Sequence, residues 1–568
     1  MFPSPATVFN MTAAIFSLLL VFILTVTATP PNSDSVCIIG SGIGGSSLVH
    51  FLRQFDASPF NVKTIRMFDR NGVVGGRMRT ITIAGETFEA GASILHPKNY
   101  HFLNFKKLLD LKIKEPSSSS EDDSFSLGIW DGHKFLFKTL GFRSSLPFVQ
   151  KIVNLANSVL IFARYGLSLF RMNSFVERMV GSFLNYYKSF EERPAFETVD
   201  EMLKWAGLYN ITKRTLHEEL VDAAVSPLLI HELATVDACV VPEGGGHLYM
   251  SSKEQVVSWT SGYVQQGAMH KAESQKPLEL LKDFLSGLRN IEATWCQLCV
   301  QVITRINYGQ SMTISGLAGA VSLAGSGADL WSIEGGNWQV AVGLINNSNV
   351  TLHLHEEIES ITNLGEYYEL TSSNGNSYNC QITVIATPLD EVNIAFTPSI
   401  SIPERKLQHT HATFVRGLLN PVYFGLNAVS EIPELVATIE DPKLTFTSIS
   451  VLKKHDEKDY TYKIFSRQPM ADADLDLLFS VRKETARIDW GAYPLYNAPE
   501  VFAPFMLDNQ HLYYINAFEN AASTMETMAV AAENIARLII SRLSGQVLYS
   551  PSILEEVASD KDPLHLDL

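Results

Sequence analysis

Gly40-Ser41-Gly42-Ile43-Gly44-Gly45 places glycines at positions one, three and six of a loop, directly after the apolar run Val36-Cys37-Ile38-Ile39. That spacing suits a nucleotide diphosphate. Gly40 makes a tight turn, Gly42 lets backbone amides approach a pyrophosphate, and Gly45 lets the following helix pack on its strand. The helix aims its positive N-terminal end at the phosphates, with Ser41, Ile43 and Gly44 in the same loop. Asp69 ends a second apolar run, where a carboxylate accepts hydrogen bonds from a ribose. Gly75-Gly76-Arg77 follows six to eight residues after Asp69. This second glycine pair lets the chain pass close to a bulky, extended cofactor, and Arg77 offsets phosphate charge, which turns the expectation from a nicotinamide cofactor to FAD.

These residues need a strand, loop, helix and strand in that order, so the opening of the chain predicts a Rossmann-type unit. Further on, Met78 to Ile83 and Glu86 to Glu89 read as short strands leading into Gly91-Ala92-Ser93-Ile94-Leu95-His96. Thr198 with Glu201 fits a capping box. Ile333-Glu334-Gly335-Gly336-Asn337 reads as another close-approach turn. Thr351 to Ile361 and Tyr367 to Thr371 read as strands, with hairpin chemistry in Ser372-Ser373-Asn374-Gly375-Asn376. Ile382 to Pro388 is an apolar strand suited to a return to the cofactor domain. Residues 512–543 predict a strand turning into a long helix whose N-terminus approaches the cofactor a second time.

At 568 residues the chain can bury two or three domain cores, and a net charge of −16 argues against nucleic acid as a partner. Residues 12–27 are uncharged and apolar, and small residues around Ala28 favour cleavage there as in a secretory signal peptide, with an uncleaved anchor as the alternative. Sequons at Asn210, Asn346 and Asn349 agree with a luminal environment. The five cysteines are not a disulfide framework: Cys37 and Cys380 sit in apolar strands and read as buried thiols. Cys296 and Cys299 form a lone CxxC, so no metal site is expected. Residues 147–188 are helical in pattern, rich in Phe, Leu, Val and Met, and basic within an acidic protein. They read either as a membrane-surface helix pair or as a helical layer over the substrate domain. Residues 117–124 are a loop by composition, and 237–301, with Gly244-Gly245-Gly246 and three cysteines, reads as an insertion or disordered loop.

The spacing of the two glycine motifs resembles the amine oxidase and desaturase flavoproteins. More specific stretches, among them FEAGASILHPKNYH (88–101), VITRINYGQS (302–311), LWSIEGGN (330–337), WGAYPLY (490–496) and YYINAFENAASTMETMAVAAENIA (513–536), resemble the prenylcysteine oxidase or farnesylcysteine lyase family from Val36 to Leu543, apart from 237–301. The resemblance implies an α/β fold, a Rossmann-type FAD-binding domain with an interleaved α+β substrate domain. FAD-binding parts are expected at 34–110, 302–395 and 506–545, substrate-domain parts at 111–236 and 396–505, and an acidic tail at 546–568. It also implies a vacuole-like lumen, a prenylcysteine substrate with O2, and cysteine, a prenyl aldehyde and hydrogen peroxide as products.

Carried over by position, Gly40, Gly42 and Gly45 hold the pyrophosphate and Asp69 the adenosine ribose. Gly75, Gly76 and Arg77 make the second approach, Gly91, Ala92 and Ser93 join the cofactor contacts, and Glu519 faces the FAD. His96 and His411 are candidates for positioning water or the amino-acid end. Arg416 is either a bidentate partner of the substrate carboxylate or a surface ion pair. The Phe-rich helices at 148–183 are the expected prenyl wall, by composition, with plain core as the alternative. A secreted FAD amine or polyamine oxidase and a catalytically silent lipid-binding flavoprotein are the rival readings.

Overall fold

Five parallel strands form the floor of the nucleotide-binding half, in the order Leu512–Tyr514, Ile382–Ile385, Ser35–Ile39, Thr64–Asp69 and Thr351–Leu354. The structure is a computed structural model and describes residues 35–55, 62–114, 126–139, 159, 162, 165–189, 192–231, 300–325, 330–439 and 441–544. The N-terminal apolar run, the loop at 117–124, residues 147–158, the CxxC at Cys296 and Cys299, all but the last two residues of 237–301, and the acidic tail lie outside the described residues.

Ser35–Ile39 is buried along its whole length, as expected of a central parallel strand covered on both faces. The helix that follows, Ile43–Phe55, packs against the closing helix Met525–Ser544 and against Trp338–Asn346. The closing helix is buried on every side from Met528 to Ile540, and its alanines let the opening helix come close. Both helices start at the same sheet edge as the glycine loop. This explains why a sequence 470 residues downstream belongs to the cofactor site (Gly45 to Ile515).

Two further sheets carry the other half. The larger has seven strands, ordered Phe479–Pro494, Leu407–Leu419, Asp459–Ser466, Ser448–Asp456, Leu435–Thr438, Leu127–Trp130 and Phe135–Lys138. Chain segments 300 residues apart therefore share one sheet, through the parallel pairing of Leu435 with Leu127. The smaller has Ser377–Cys380, Tyr368–Ser372, Ile358–Asn363 and Ala395–Thr397, closed by the hairpin at Ser372 to Asn376. Thr198 caps Val199–Trp205 in a reciprocal box with Glu201, as its spacing predicts.

Two expectations are corrected. The strand predicted across Thr351 to Ile361 is broken: Thr351–Leu354 joins the parallel sheet and Ile358–Asn363 the smaller one. The break falls at His355, which takes a positive φ of 56° while its N–H donates to Asn71 O. An alternating pattern carries no mark of a strand changing sheets. Cys37 and Cys380, expected as buried thiols, are fully buried but disulfide-bonded, with Cα atoms 5.8 Å apart. They stand 343 residues apart, and only the packing of the smaller sheet beside the parallel one brings them together.

Candidate active site

The nucleotide cradle is assembled by close backbone contacts. Gly40 has φ +112°, and a Cβ there would lie 2.6 Å from Ala386 O. A Cβ on Gly45 would lie 2.1 Å from Gly40 O, so the opening helix reaches its strand only without a side chain. At Gly42, by contrast, the nearest protein atoms to such a Cβ are at 3.8 Å, from Gly75 and Gly76. The protein does not demand glycine at Gly42; a group approaching the helix N-terminus does. Gly75 N–H donates to Ser41 O at 3.2 Å, which ties the second glycine pair to the first loop.

Asp69 holds this loop in shape. It accepts from Ser41 N–H at 2.9 Å, Ser41 Oγ at 2.5 Å and Asn71 N–H at 2.8 Å. Ser41 thus reaches the site through its bond to the carboxylate. Glycine cradle, helix N-terminus and terminal acid together fit the diphosphate and ribose of a dinucleotide.

Beside the cradle lies a buried ionic cluster. Glu519 pairs with Arg77 and with Arg405 Nη2 at 3.3 Å, and accepts from Asn516 Nδ2 at 3.1 Å and Ser523 Oγ at 2.9 Å. Arg405 in turn forks onto Asp390 at 2.9 and 2.5 Å. Burial disfavours the charged form of Glu519, but Arg77 and Arg405 outweigh it and hold its carboxyl below the usual range. Arg77 also donates to Ala492 O at 2.8 Å. Arg405 is a residue that sequence reasoning missed, because a lone arginine in a polar loop carries no pattern.

Next to the cluster opens a cavity of about 240 Å³. Gly91, Ala92, Ser93 and His96 form one wall, and Ser523 to Thr527 at the start of the closing helix form another. The seven-stranded sheet contributes Thr410, Ser450, Lys463, Trp490 and Tyr493. The remaining wall is helical and largely apolar: Met179, Val180 and Phe183 face the cavity from Ser168–Phe183, as do Leu317, Ala320 and Ala324 from Gly316–Ala324. The cofactor cluster touches this space through Ser523, and Gly91 packs on Arg77 O, where a Cβ would lie 2.0 Å away.

The three candidate polar residues separate. His96 lines the cavity, and its Nδ1 accepts from Lys98 N–H at 3.0 Å, which leaves the ring proton on Nε2. Burial, then the nearby Lys98, pushes its pKa down to about 4, so it is neutral at any physiological pH. His411 is outside the lining, next to Asp489 with Nδ1 to Oδ1 at 3.5 Å; adjacent strand residues point to opposite faces, and Thr410 is the one that faces in. Arg416 lies six residues beyond Thr410, about 20 Å along an extended strand, and forks onto Asp459 at 3.0 and 2.8 Å. The ion-pair reading describes it.

Lys463 and Glu526 were not anticipated. Lys463 occupies a position that alternation assigns to solvent, yet it is 5% exposed, donates to Glu89 O at 2.9 Å and lies over the Phe414 and Phe465 rings. Glu526 accepts from His101 N–H at 2.8 Å and Tyr187 OH at 2.7 Å, and burial raises its pKa. Tyr308 and Tyr493, both lining the cavity, meet edge to face at 4.8 Å. They fall inside two of the distinctive sequence stretches, which was the available signal.

Residues 38–110 match the family model described as NAD(P)-binding Rossmann-like domain, which places the cradle in the class of Rossmann nucleotide-binding folds. Residues 148–270 and 279–550 match the model described as Prenylcysteine lyase, and the chain belongs to that family. The match thus runs through much of the 237–301 segment that the resemblance left out. The chain is 55% identical over 509 residues to farnesylcysteine lyase of Arabidopsis thaliana, covering 89% of this chain and 88% of that one. It is 29% identical to prenylcysteine oxidase 1 of Homo sapiens, covering 91% and 90%. Among solved structures, a putrescine oxidase bound to putrescine aligns at 12% identity and a TM-score of 0.46, over 90% of this chain and 99% of that one. Cyclohexylamine oxidase from Brevibacterium oxydans aligns at 15% and 0.49, over 90% and 99%. The chain is an oxidoreductase of the prenylcysteine family.

Proposed function

We propose that the chain is an FAD-dependent thioether oxidase that converts S-prenylcysteine, dioxygen and water into cysteine, a prenyl aldehyde and hydrogen peroxide. One observation carries this reading: a largely apolar cavity lies beside the cofactor cluster, with Ser523 of its wall donating to Glu519 and Gly91 of its wall packed on Arg77 O.

The cofactor would be held by the Gly40–Gly45 loop, Asp69, the Gly75-Gly76-Arg77 passage and the Glu519 cluster. The chemistry that FAD would supply there is two-electron oxidation at the allylic carbon beside sulfur, with dioxygen as the final acceptor. The chain's own part is orientation and exclusion of water. The helical wall suits the isoprenoid, whereas Lys463, Ser450 and Thr410 give the sheet wall the polarity of an amino-acid head. His96 donates from Nε2 and is locked at Nδ1, so it orients water or the substrate head rather than acting as a base.

The proposed location is the secretory pathway, ending in a vacuole-like lumen. The apolar N-terminal run supports it, as do the exposed sequon asparagines Asn210, Asn346 and Asn349, which are proposed to carry glycans, and the Cys37–Cys380 disulfide, a bond of oxidising compartments. Contact with a membrane surface is proposed at the helical region around Ser168–Phe183, where Phe162, Leu167 and Phe170 are exposed beside Arg171 and Arg178. Among the described residues no helix is long and apolar enough to cross a membrane.

The test is the absorption spectrum of the purified protein, followed by anaerobic titration with farnesylcysteine. A yellow protein bleached by farnesylcysteine, and releasing peroxide when oxygen is readmitted, supports the reading. Bleaching by spermine alone would replace it with an amine oxidase, and bound flavin without reduction would leave a silent binding protein.

A further inference from the structure

Helix Gly316–Ala324 borders the cavity and is tightly packed on one flank. On the flank beside the cavity face, a Cβ added at Gly316 would lie 2.7 Å from the Ile211 side chain, and one at Gly319 would lie 2.7 Å from Leu216. Backbone bonds Gly316 N–H to Arg214 O at 2.8 Å and Leu216 N–H to Ile314 O at 2.9 Å pin the start of the helix on that flank. The first turn of the helix is thus fixed in place. On its inner face it presents Ala320 and Ala324, small residues one turn apart, to the cavity. Helix Ser168–Phe183 packs against it and brings Met179 and Phe183 to the same space. The cofactor cluster meets the cavity elsewhere, at Ser523 and Gly91.

We propose that this helix pair, Ala320 and Ala324 against Met179 and Phe183, gauges the length of the prenyl chain. The inference rests on the prenylcysteine reading above. With the reacting carbon held at the cofactor end, each added isoprene unit must extend between the two helices. Because the first turn of the Gly316–Ala324 helix is packed without clearance on its flank, the space left by the two alanines sets how many units fit. A single methylene in a hydrophobic pocket changes discrimination by about 10–200-fold, so a five-carbon unit without room should be discriminated at least at the lower end of that range.

The experiment uses full-length, flavin-loaded protein and three probes: S-dimethylallyl-, S-farnesyl- and S-geranylgeranylcysteine. Peroxide release gives kcat/KM for each, and the flavin spectrum reports cofactor content. In A324F the ratio of geranylgeranyl to dimethylallyl turnover should fall at least about tenfold, with farnesyl between. M179A should move the same ratio the opposite way, and it keeps the test decisive if A324F does not fold. Ratios unchanged in both variants, or equal loss on all three substrates with flavin retained, would overturn the gauge. Wild-type protein that turns over none of the three probes would instead strike down the prenylcysteine reading, and the gauge with it.

Discussion

The nucleotide cradle and the cavity beside it are built in opposite ways. Its glycine loop, Asp69 and second glycine passage come from one run of sequence between Val36 and Arg77, closed by a single return at Glu519. The cavity draws on the loop after Gly91, two helical regions, four strands of the large sheet and the start of the closing helix. In the cradle, residue type follows from backbone clearance; in the cavity, it follows from which segments happen to meet. The cradle should therefore be brittle, and the cavity tunable.

The largest effect is expected in the cradle itself. Gly45→Val places side-chain atoms where even a Cβ lies 2.1 Å from Gly40 O, so the protein should be recovered colourless or insoluble. A soluble variant with full flavin absorbance would break the contrast. Next comes the buried cluster. Glu519→Gln leaves Arg77 and Arg405 without their shared anion, and breaking a buried pair costs about 3–5 kcal/mol. Thermal melts should show a marked drop in Tm together with weakened flavin retention.

Acid sensitivity sharpens the comparison further. Burial opposes the charge on Glu533, but His101, Arg193 and Arg537 bring its pKa down to about 2 from an ordinary 4.5. A carboxylate depressed in the folded state adds stability that is complete above about pH 4.5 and is lost as pH falls toward 2. Glu533→Gln should therefore lower Tm at pH 7 and flatten its decline between those limits, and an unchanged acid limb would count against the pairing of Glu533 with Arg193 and Arg537. The smallest effect belongs to the cavity. With its pKa near 4, His96 should add no ionisation to the kcat profile between pH 5 and 8. His96→Gln, which keeps a donor, should lose less than the roughly 100-fold expected when a general acid or base is removed, while His96→Leu should lose more than His96→Gln.

How much was legible depends on the range over which each feature is encoded. The Gly40–Gly45 loop, Asp69, the capping box at Thr198 and the hairpin at Gly375 are local, and their spacing announces them. Lys463 was hidden because alternation in a strand marks faces without saying which face another layer will cover. Arg416 was ambiguous for the complementary reason: its partner Asp459 lies 43 residues away on the next strand, and charge alone cannot choose between partners. The disulfide between Cys37 and Cys380 and the salt link from Arg405 to Glu519 span 343 and 114 residues, beyond any periodic signal.

The amino-acid order by itself determined a glycine loop and a helix N-terminus that suit a diphosphate, because steric clearance and backbone dipoles act within a few residues. It also carried the blocks that place the chain in its family. The tertiary structure alone decided that a lysine would be buried beneath two phenylalanines, that one of two histidines would face the cavity, and that two helices far apart in sequence would stand across it. Those outcomes depend on packing between whole layers, where burial and electrostatics are settled only once every neighbour is in place.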